Sequence, residues 1–211
     1  MRVEVLPELP ADMLEEAWNW YRETFDELRY MAANRHLMFR DEFDYLMADK
    51  RADKYIALDA EGALVGMGVQ TTDLDSVPLI SPDYFEYHWP ELFEQRRLFY
   101  VTFVGAKKSA RGAGVFIALL RAMYGPIGEA KGRVFVDICS YNEERHALPR
   151  MIAMILGRVA GRAQPTRLDA QSFWMYEFPP AHMPIRDERR TGFRERKAGM
   201  MERRAHLRDP E

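Results

Sequence analysis

The sequence predicts a mixed α/β (α+β) fold, and three observations predict it. Short apolar or alternating runs lie between amphipathic stripes of helical period along most of the chain. Two such runs, Tyr55 to Leu58 and Leu64 to Val69, flank the turn sequence Asp59-Ala60-Glu61-Gly62 as a hairpin. Between Arg97 and Met123 a strand, a basic glycine-bearing turn and a helix follow one another directly. The chain has 211 residues, 47% apolar and 30% charged, enough for one domain with a sizeable core.

In order, Arg2 to Leu6 alternates as a strand that Pro7 and Pro10 end. Leu14, Ala17, Trp18, Tyr21, Phe25, Leu28 and Met31 then lie on one stripe of a long helix, with Asp12 placed to cap it. A second helix over Arg40 to Ala48 continues with Phe39, Phe43, Leu46 and Met47, and Phe25, Phe39 and Phe43 are read as core. The hairpin follows. Asp73 to Arg96 reads as a long excursion mixing Tyr84, Phe85, Tyr87 and Trp89 with Asp73, Asp75, Asp83, Glu86, Glu91 and Glu94. Long excursions in compact domains are often functional, and rings beside acids suit a lid over an organic amine. The plainer alternative is that the rings fold back onto the core.

Leu98 to Val104 is an apolar strand, Gly105 to Gly114 a basic turn, and Val115, Ala118, Leu119, Ala122 and Met123 a helical stripe ending near Gly125-Pro126. Arg133 to Ile138 is the next strand. A helix starts near Pro149 with Met151, Ile152, Ile155, Leu156 and Val159, and Ser172 to Phe178 is a last strand before Pro179-Pro180. Beyond Pro184, Arg186 to Arg208 holds nine Lys or Arg against four carboxylates, which reads as a solvated tail. The expected organisation is therefore a domain over residues 1–184 and a basic tail over 185–211.

A strand leading through glycines into a helix N-terminus makes an anion site. Unpaired amides and the helix dipole supply partial positive charge, and glycine admits a phosphate close to the backbone. Lys107, Lys108 and Arg111 add full charges beside them. The run Arg111-Gly112-Ala113-Gly114-Val115 resembles the acyl-CoA-binding signature of the GCN5-related N-acetyltransferase superfamily, and the strand-helix-helix-strand-strand order before it is the order in which that family begins. The sixth motif position is Phe116, where the family has Gly or Ala.

The resemblance implies a central mixed, mostly antiparallel sheet flanked by helices, with acetyl-CoA or another acyl-CoA as co-substrate and no metal. It implies a CoA-binding set of Val104, Gly105, Ala106, Arg111, Gly112, Ala113, Gly114, Val115, Phe116 and Asn142. The strand ending at Val104 to Ala106 would pair its backbone with the pantetheine, and an N–H near Val104 would polarise the thioester carbonyl. The family's later helix usually carries a tyrosine that protonates the leaving thiolate, but no tyrosine occurs in residues 147–161. Tyr141, beside Asn142, is the substitute candidate, against a plainer role of packing at a strand end. An amine of pKa about 10 must also lose protons, and Glu86, Glu91 and Glu94 are candidate bases, Glu86 foremost.

The reading is thus a CoA-dependent N-acyltransferase, in its simplest form an acetyltransferase, acting on a small-molecule amine. Two alternatives stay open: an N-acyl synthase taking a longer chain from CoA or acyl carrier protein, for which the basic turn would face an acidic partner, and a non-catalytic acyl-CoA sensor. Net charge −3 gives no general attraction to nucleic acid or anionic membrane. No apolar run reaches the roughly 20 residues of a membrane span. The lone Cys139 forbids an intramolecular disulfide and suits the cytoplasm. A Cys139–His146 nucleophile is weighed against an inert thiol, which the spacing favours. His36, His88, His146, His182 and His206 show no metal-ligand spacing. A homodimer is allowed, and the oligomeric state is open.

Overall fold

A computed structural model describes residues 1–78, 80–107 and 114–177. The chain divides into two compact units, Met1–Ala170 and Gln171–Glu211. The first unit holds every helix and strand among the described residues. They run β1 (Arg2–Leu6), α1 (Leu14–Phe25), α2 (Leu28–Met31), α3 (Arg40–Ala48), β2 (Ala52–Leu58) and β3 (Leu64–Thr71). A 3₁₀ turn at Leu74–Ser76 leads to α4 (Pro82–His88), α5 (Pro90–Glu94), β4 (Leu98–Ala106) and α6 (Val115–Glu129). The series closes with β5 (Arg133–Phe135), α7 (Ser140–Glu144) and α8 (Leu148–Ala160).

The five strands form one sheet in the order β1-β2-β3-β4-β5. The first three pairings are antiparallel and β4–β5 is parallel. This is the mixed, mostly antiparallel sheet that the resemblance implies. Alternation along β2 sorts its side chains to two faces. Ile56 and Leu58 join Trp20, Tyr21, Phe43, Met47, Met67 and Phe103 under α1 and α3. Tyr55 and Ala57 join Val101, Ala106, Val115, Leu119 and Met123 under α6. Each large side chain buried this way contributes about 1.5–3 kcal/mol.

Several sequence expectations change here. The first helical stripe stops at Phe25, and Tyr30 and Met31 lie exposed on the separate α2. Trp20 rather than Trp18 is the fully buried tryptophan. Asp12 does not cap α1, whose N-cap is Met13 without a side-chain hydrogen bond. Phe39 is 63% exposed, because as N-cap of α3 it turns its ring under the Arg35 guanidinium, 4.4 Å away. The Glu42 carboxylate accepts from the Phe39 N–H at 2.7 Å and pairs with Arg35. These two partners, Arg35 first, hold Glu42 down to about 2.

The 73–96 excursion is not an open loop. It folds as the 3₁₀ turn, α4 and α5, each of the two helices opened by a proline in its first turn. Phe85 is buried with Leu74, Val77, Leu98 and Tyr100. α6 runs through Pro126 to Glu129, since Ile127 beyond it is buried and holds the last turn in place. Ser172 to Glu177 forms no strand. Phe173, Trp174, Met175 and Tyr176 are all exposed, so burial selects no face and no register. Phe178 and the basic tail lie outside the described residues.

The start of β4 is clamped to the end of α6. Arg97 donates to the carbonyls of Ala130 and Lys131, and the Arg133 N–H donates to Arg97 O at 2.9 Å. Gly132 sits inside this clamp, where an added Cβ would lie 2.5 Å from Arg97 O and 2.8 Å from the Phe99 ring. Backbone cannot yield as a flexible side chain does. Gly132→Ala should therefore cost about 1–3 kcal/mol, read as a lower urea midpoint at unchanged slope. A midpoint equal to wild type would mean that the clamp is slack.

Candidate functional site

The site grows out of the way β4 leaves β5. The parallel pairing covers only Leu98↔Arg133, Phe99↔Val134 and Tyr100↔Phe135. β4 then runs on through Val101 to Ala106 with no partner on that side among the described residues. Its register against β3 shifts at the same place. Val69 faces Phe103 but Gln70 faces Val101, so Thr102 is an extra residue in β4. Such a bulge bends and twists its strand, and here it falls just past the point where the pairing of β4 with β5 ends. β5 correspondingly ends at Phe135 and not at the expected Ile138: residues 136–138 have no strand partner among the described residues.

The antiparallel ladder fixes which amides face away from β3. The Lys107 N–H donates to Val65 O at 2.9 Å. Gly105, opposite Met67, is then at a hydrogen-bonded position, while Val104 and Ala106, opposite Gly68 and Gly66, are not. Their N–H groups point away from β3, toward the side β5 has left. Val104 is the position near which the resemblance implies a polarising amide.

Past Lys107 the chain reaches Gly114, the N-cap of α6, with φ +78°. That left-handed conformation suits glycine and lets the chain turn sharply into a helix whose first amides are unpaired. Val115 is buried, and Phe116 packs with the cluster under α6, so the bulk at the sixth motif position is taken up by the core. Lys108, Arg111, Gly112 and Ala113 lie outside the described residues. Asn142 and Tyr141 sit on α7, a short helix that sequence periodicity does not announce. The Tyr141 hydroxyl donates to Glu27 Oε1, and this bond to a carboxylate raises its pKa.

Glu86 is exposed on α4. Its neighbouring rings are divided. Phe85 and Trp89 pack on Phe135 at 4.8 and 5.1 Å, whereas Tyr87 is 83% exposed. The Arg133 guanidinium already lies over Trp89, 5.4 Å from its centroid. So this ring belongs to the core edge and is not free to stack on an acceptor. The alternative in which the rings fold back holds for Phe85 and Trp89. The Tyr141 and His146 rings meet at 5.1 Å, which gives the imidazole a partner other than Cys139.

Sequence reasoning missed one constellation. Tyr100, the last β4 residue paired with β5, donates its hydroxyl to Asp137 Oδ1 at 2.6 Å. The other carboxylate oxygen of Asp137 lies 3.9 Å from His36 Nδ1. Burial, and then the Asp137 charge, push the Tyr100 hydroxyl well above its ordinary pKa, so it stays a donor. The 36–38 segment is held by Tyr21, whose hydroxyl accepts from the Met38 N–H at 3.0 Å and donates to His36 O at 3.4 Å. A faint signal was present: Tyr100 with Thr102 interrupts the apolar run LFYVTFV, and Asp137 stands inside the apolar end of RVFVDI. Among the described residues no helix is long and apolar enough to cross a membrane, and no three His, Cys, Asp or Glu side chains are grouped to hold a metal.

Neither protein-family profiles nor the curated proteins give a match to this chain. Solved structures do. A probable acetyltransferase matches over 84% of this chain and 100% of its own, with 14% identity and a TM-score of 0.50. A ribosomal-protein-alanine N-acetyltransferase from Brucella melitensis biovar Abortus 2308 matches over 85% and 100%, at 16% identity and a TM-score of 0.47. An aminoglycoside acetyltransferase from an uncultured soil metagenomic sample matches over 84% and 96%, at 14% identity and a TM-score of 0.46. The fold of this chain is that of the GCN5-related N-acetyltransferases. At such identities the likeness concerns the fold alone.

Proposed function

We propose that this protein is a CoA-dependent N-acyltransferase, in its simplest form an acetyltransferase, that passes an acyl group from a CoA thioester to a small-molecule amine by direct attack. One observation carries the reading: β4 parts from β5 after Tyr100 at the Thr102 bulge, turning the Val104 and Ala106 amides to the open side. An extended, amide-bearing pantetheine is the kind of ligand such an edge pairs with. The Val104 N–H then acts on charge that develops on the thioester oxygen, an effect worth about 3–4 kcal/mol for one well-placed donor. Gly105, Val115, Phe116 and Asn142 complete the proposed binding set with Gly114 and the motif residues Arg111 to Ala113. The cytoplasm is the proposed compartment.

The test is calorimetric titration with acetyl-CoA, longer acyl-CoA and acyl carrier protein, followed by mass detection of product with a panel of primary amines. Binding of acetyl-CoA with one acylated amine supports the reading. Binding without turnover of any amine would leave a sensor, and preference for acyl carrier protein would leave a synthase.

Tyr141 is the proposed proton donor to the thiolate. Because its hydroxyl already serves Glu27 and water can deliver a proton instead, Tyr141→Phe should lower kcat by less than about a hundredfold, the low end for a general acid. A larger loss at unchanged CoA affinity would give Tyr141 a greater share.

A further inference from the structure

We infer that His36 is the base that takes the acceptor's proton, with Asp137 as its positioning residue and Tyr100 fixing Asp137. This deepens the acyltransferase reading and rests on it. Three separate elements meet here: β4 through Tyr100, the chain after β5 through Asp137, and the segment before α3 through His36. They meet at Tyr100, the last β4 residue paired with β5, on the strand whose further length carries the Val104 amide. The Tyr100 ring is buried while the Asp137 side chain is 59% exposed, so the carboxylate is anchored from the core and presented to solvent.

The chemistry favours imidazole over a bare carboxylate. Proton transfer is efficient when donor and acceptor basicities lie near each other and near the working pH, and imidazole comes closer to an amine than a carboxylate does. The Nδ1–Oδ2 separation of 3.9 Å exceeds a hydrogen bond, as catalytic contacts without substrate often do. The charged and titratable groups around His36 are Asp137 after β5, Tyr100 on β4, Tyr21 on α1, and the adjacent Arg35 with its partner Glu42 on α3. Arg35 and Glu42 neutralise each other, which leaves Asp137 as the charge that His36 meets.

The balance is as follows. The acceptor enters as an ammonium and gives its first proton to His36 through water. The freed amine nitrogen bonds to the thioester carbonyl carbon, and the carbon–sulfur bond breaks. Tyr141 protonates the departing CoA thiolate and is reprotonated, through water, by the second proton on nitrogen, and His36 returns the first to solvent. One amide, one CoA thiol and one proton result from one ammonium and one acyl-CoA.

The experiment measures kcat/KM against pH for the full chain and for His36→Ala, Asp137→Asn and Tyr100→Phe. Acetyl-CoA affinity by calorimetry and unfolding midpoints accompany each. His36→Ala should lose about 10²–10³-fold at pH 7 with acetyl-CoA affinity kept. Free imidazole should restore part of it, a rescue that a packing defect cannot show. Asp137→Asn should lower kcat by less than His36→Ala does, with acetyl-CoA affinity kept and Asp137→Glu recovering part of the loss, as expected of a group that orients the imidazole. An unchanged profile in His36→Ala, or no imidazole rescue, overturns the assignment while the acyltransferase reading stands. A wild type that neither binds acetyl-CoA nor acylates any amine overturns both.

Discussion

Gly114→Val is expected to lower acetyl-CoA affinity at least about a hundredfold, or about 2.7 kcal/mol, while cooperative unfolding is retained. The reason is conformational. Gly114 holds φ +78° at the N-cap of α6, and a β-branched residue there is a steric outlier costing roughly 1–2 kcal/mol. A Cβ at this position meets nothing within 4 Å, so the variant has room to fold and the strain falls on the turn itself. Relieving that strain swings the first amides of α6 out of line. It also puts branched bulk where a pyrophosphate would approach the backbone. Gly114→Ala carries the same φ penalty with less bulk and should show a smaller loss. Calorimetry on the folded variants decides it, and wild-type affinity in Gly114→Val would remove the phosphate from this helix end.

Much of this fold was legible because its signals are local. The helix at about Arg40 to Ala48 and the strand Arg2 to Leu6 were readable, since a proline or a cap ends each and one stripe is apolar. The hairpin was readable because Asp59 to Gly62 is turn chemistry between apolar runs. What failed was decided by contacts distant in sequence. Phe39 fits the helical stripe but faces solvent beneath Arg35. Ile138 belongs to an apolar run but lies past Phe135, where the pairing with β4 ends; the bulge at Thr102, thirty-odd residues earlier, falls just past the same point. Nothing in the periodicity of LFYVTFVGA marks Thr102 as the extra residue; only the register against β3 does.

The site divides along the same line. The glycine turn could be proposed from order along the chain, because a strand–turn–helix unit is contiguous, while Val104 and Asn142 came with the family resemblance. His36, Tyr100 and Asp137 could not. They are 64 and 37 residues apart in sequence, and what joins them is the parting of two strands. The acids of residues 73–96 are spread over the 3₁₀ turn, α4 and α5, with Asp83 and Glu86 on α4 and Glu91 and Glu94 on α5.

Lys54→Met should destabilise the protein by about 2–4 kcal/mol at pH 7, with loss of the clip that joins β1, α3 and β2. Lys54 is wholly buried, and its ammonium donates to Pro7 O at 2.9 Å, Ala52 O at 2.7 Å and Asp49 O. Asp49 ends α3, so the charge also meets the negative end of a helix dipole. Methionine fills much the same volume but offers no donor, and carbonyls that met three N–H groups are left without them. Burial lowers the Lys54 pKa to about 8, against about 10.4 for a free lysine. The sign of the pH dependence follows. Below about pH 8 both folded and unfolded chains hold the proton, and the full cost of burying the charge is present. Between about 8 and 10.4 the unfolded chain binds more protons, so wild-type stability rises with pH through this term. The methionine variant lacks the group, and the raised tyrosines, Tyr21, Tyr55 and Tyr100, are common to both proteins and cancel in the comparison. The stability gap between wild type and Lys54→Met should therefore widen from pH 7 to pH 9.5 in urea denaturation. A variant as stable as wild type would show that the clip contributes nothing, and a gap that stays constant with pH would show that Lys54 titrates in the fold as it does in water.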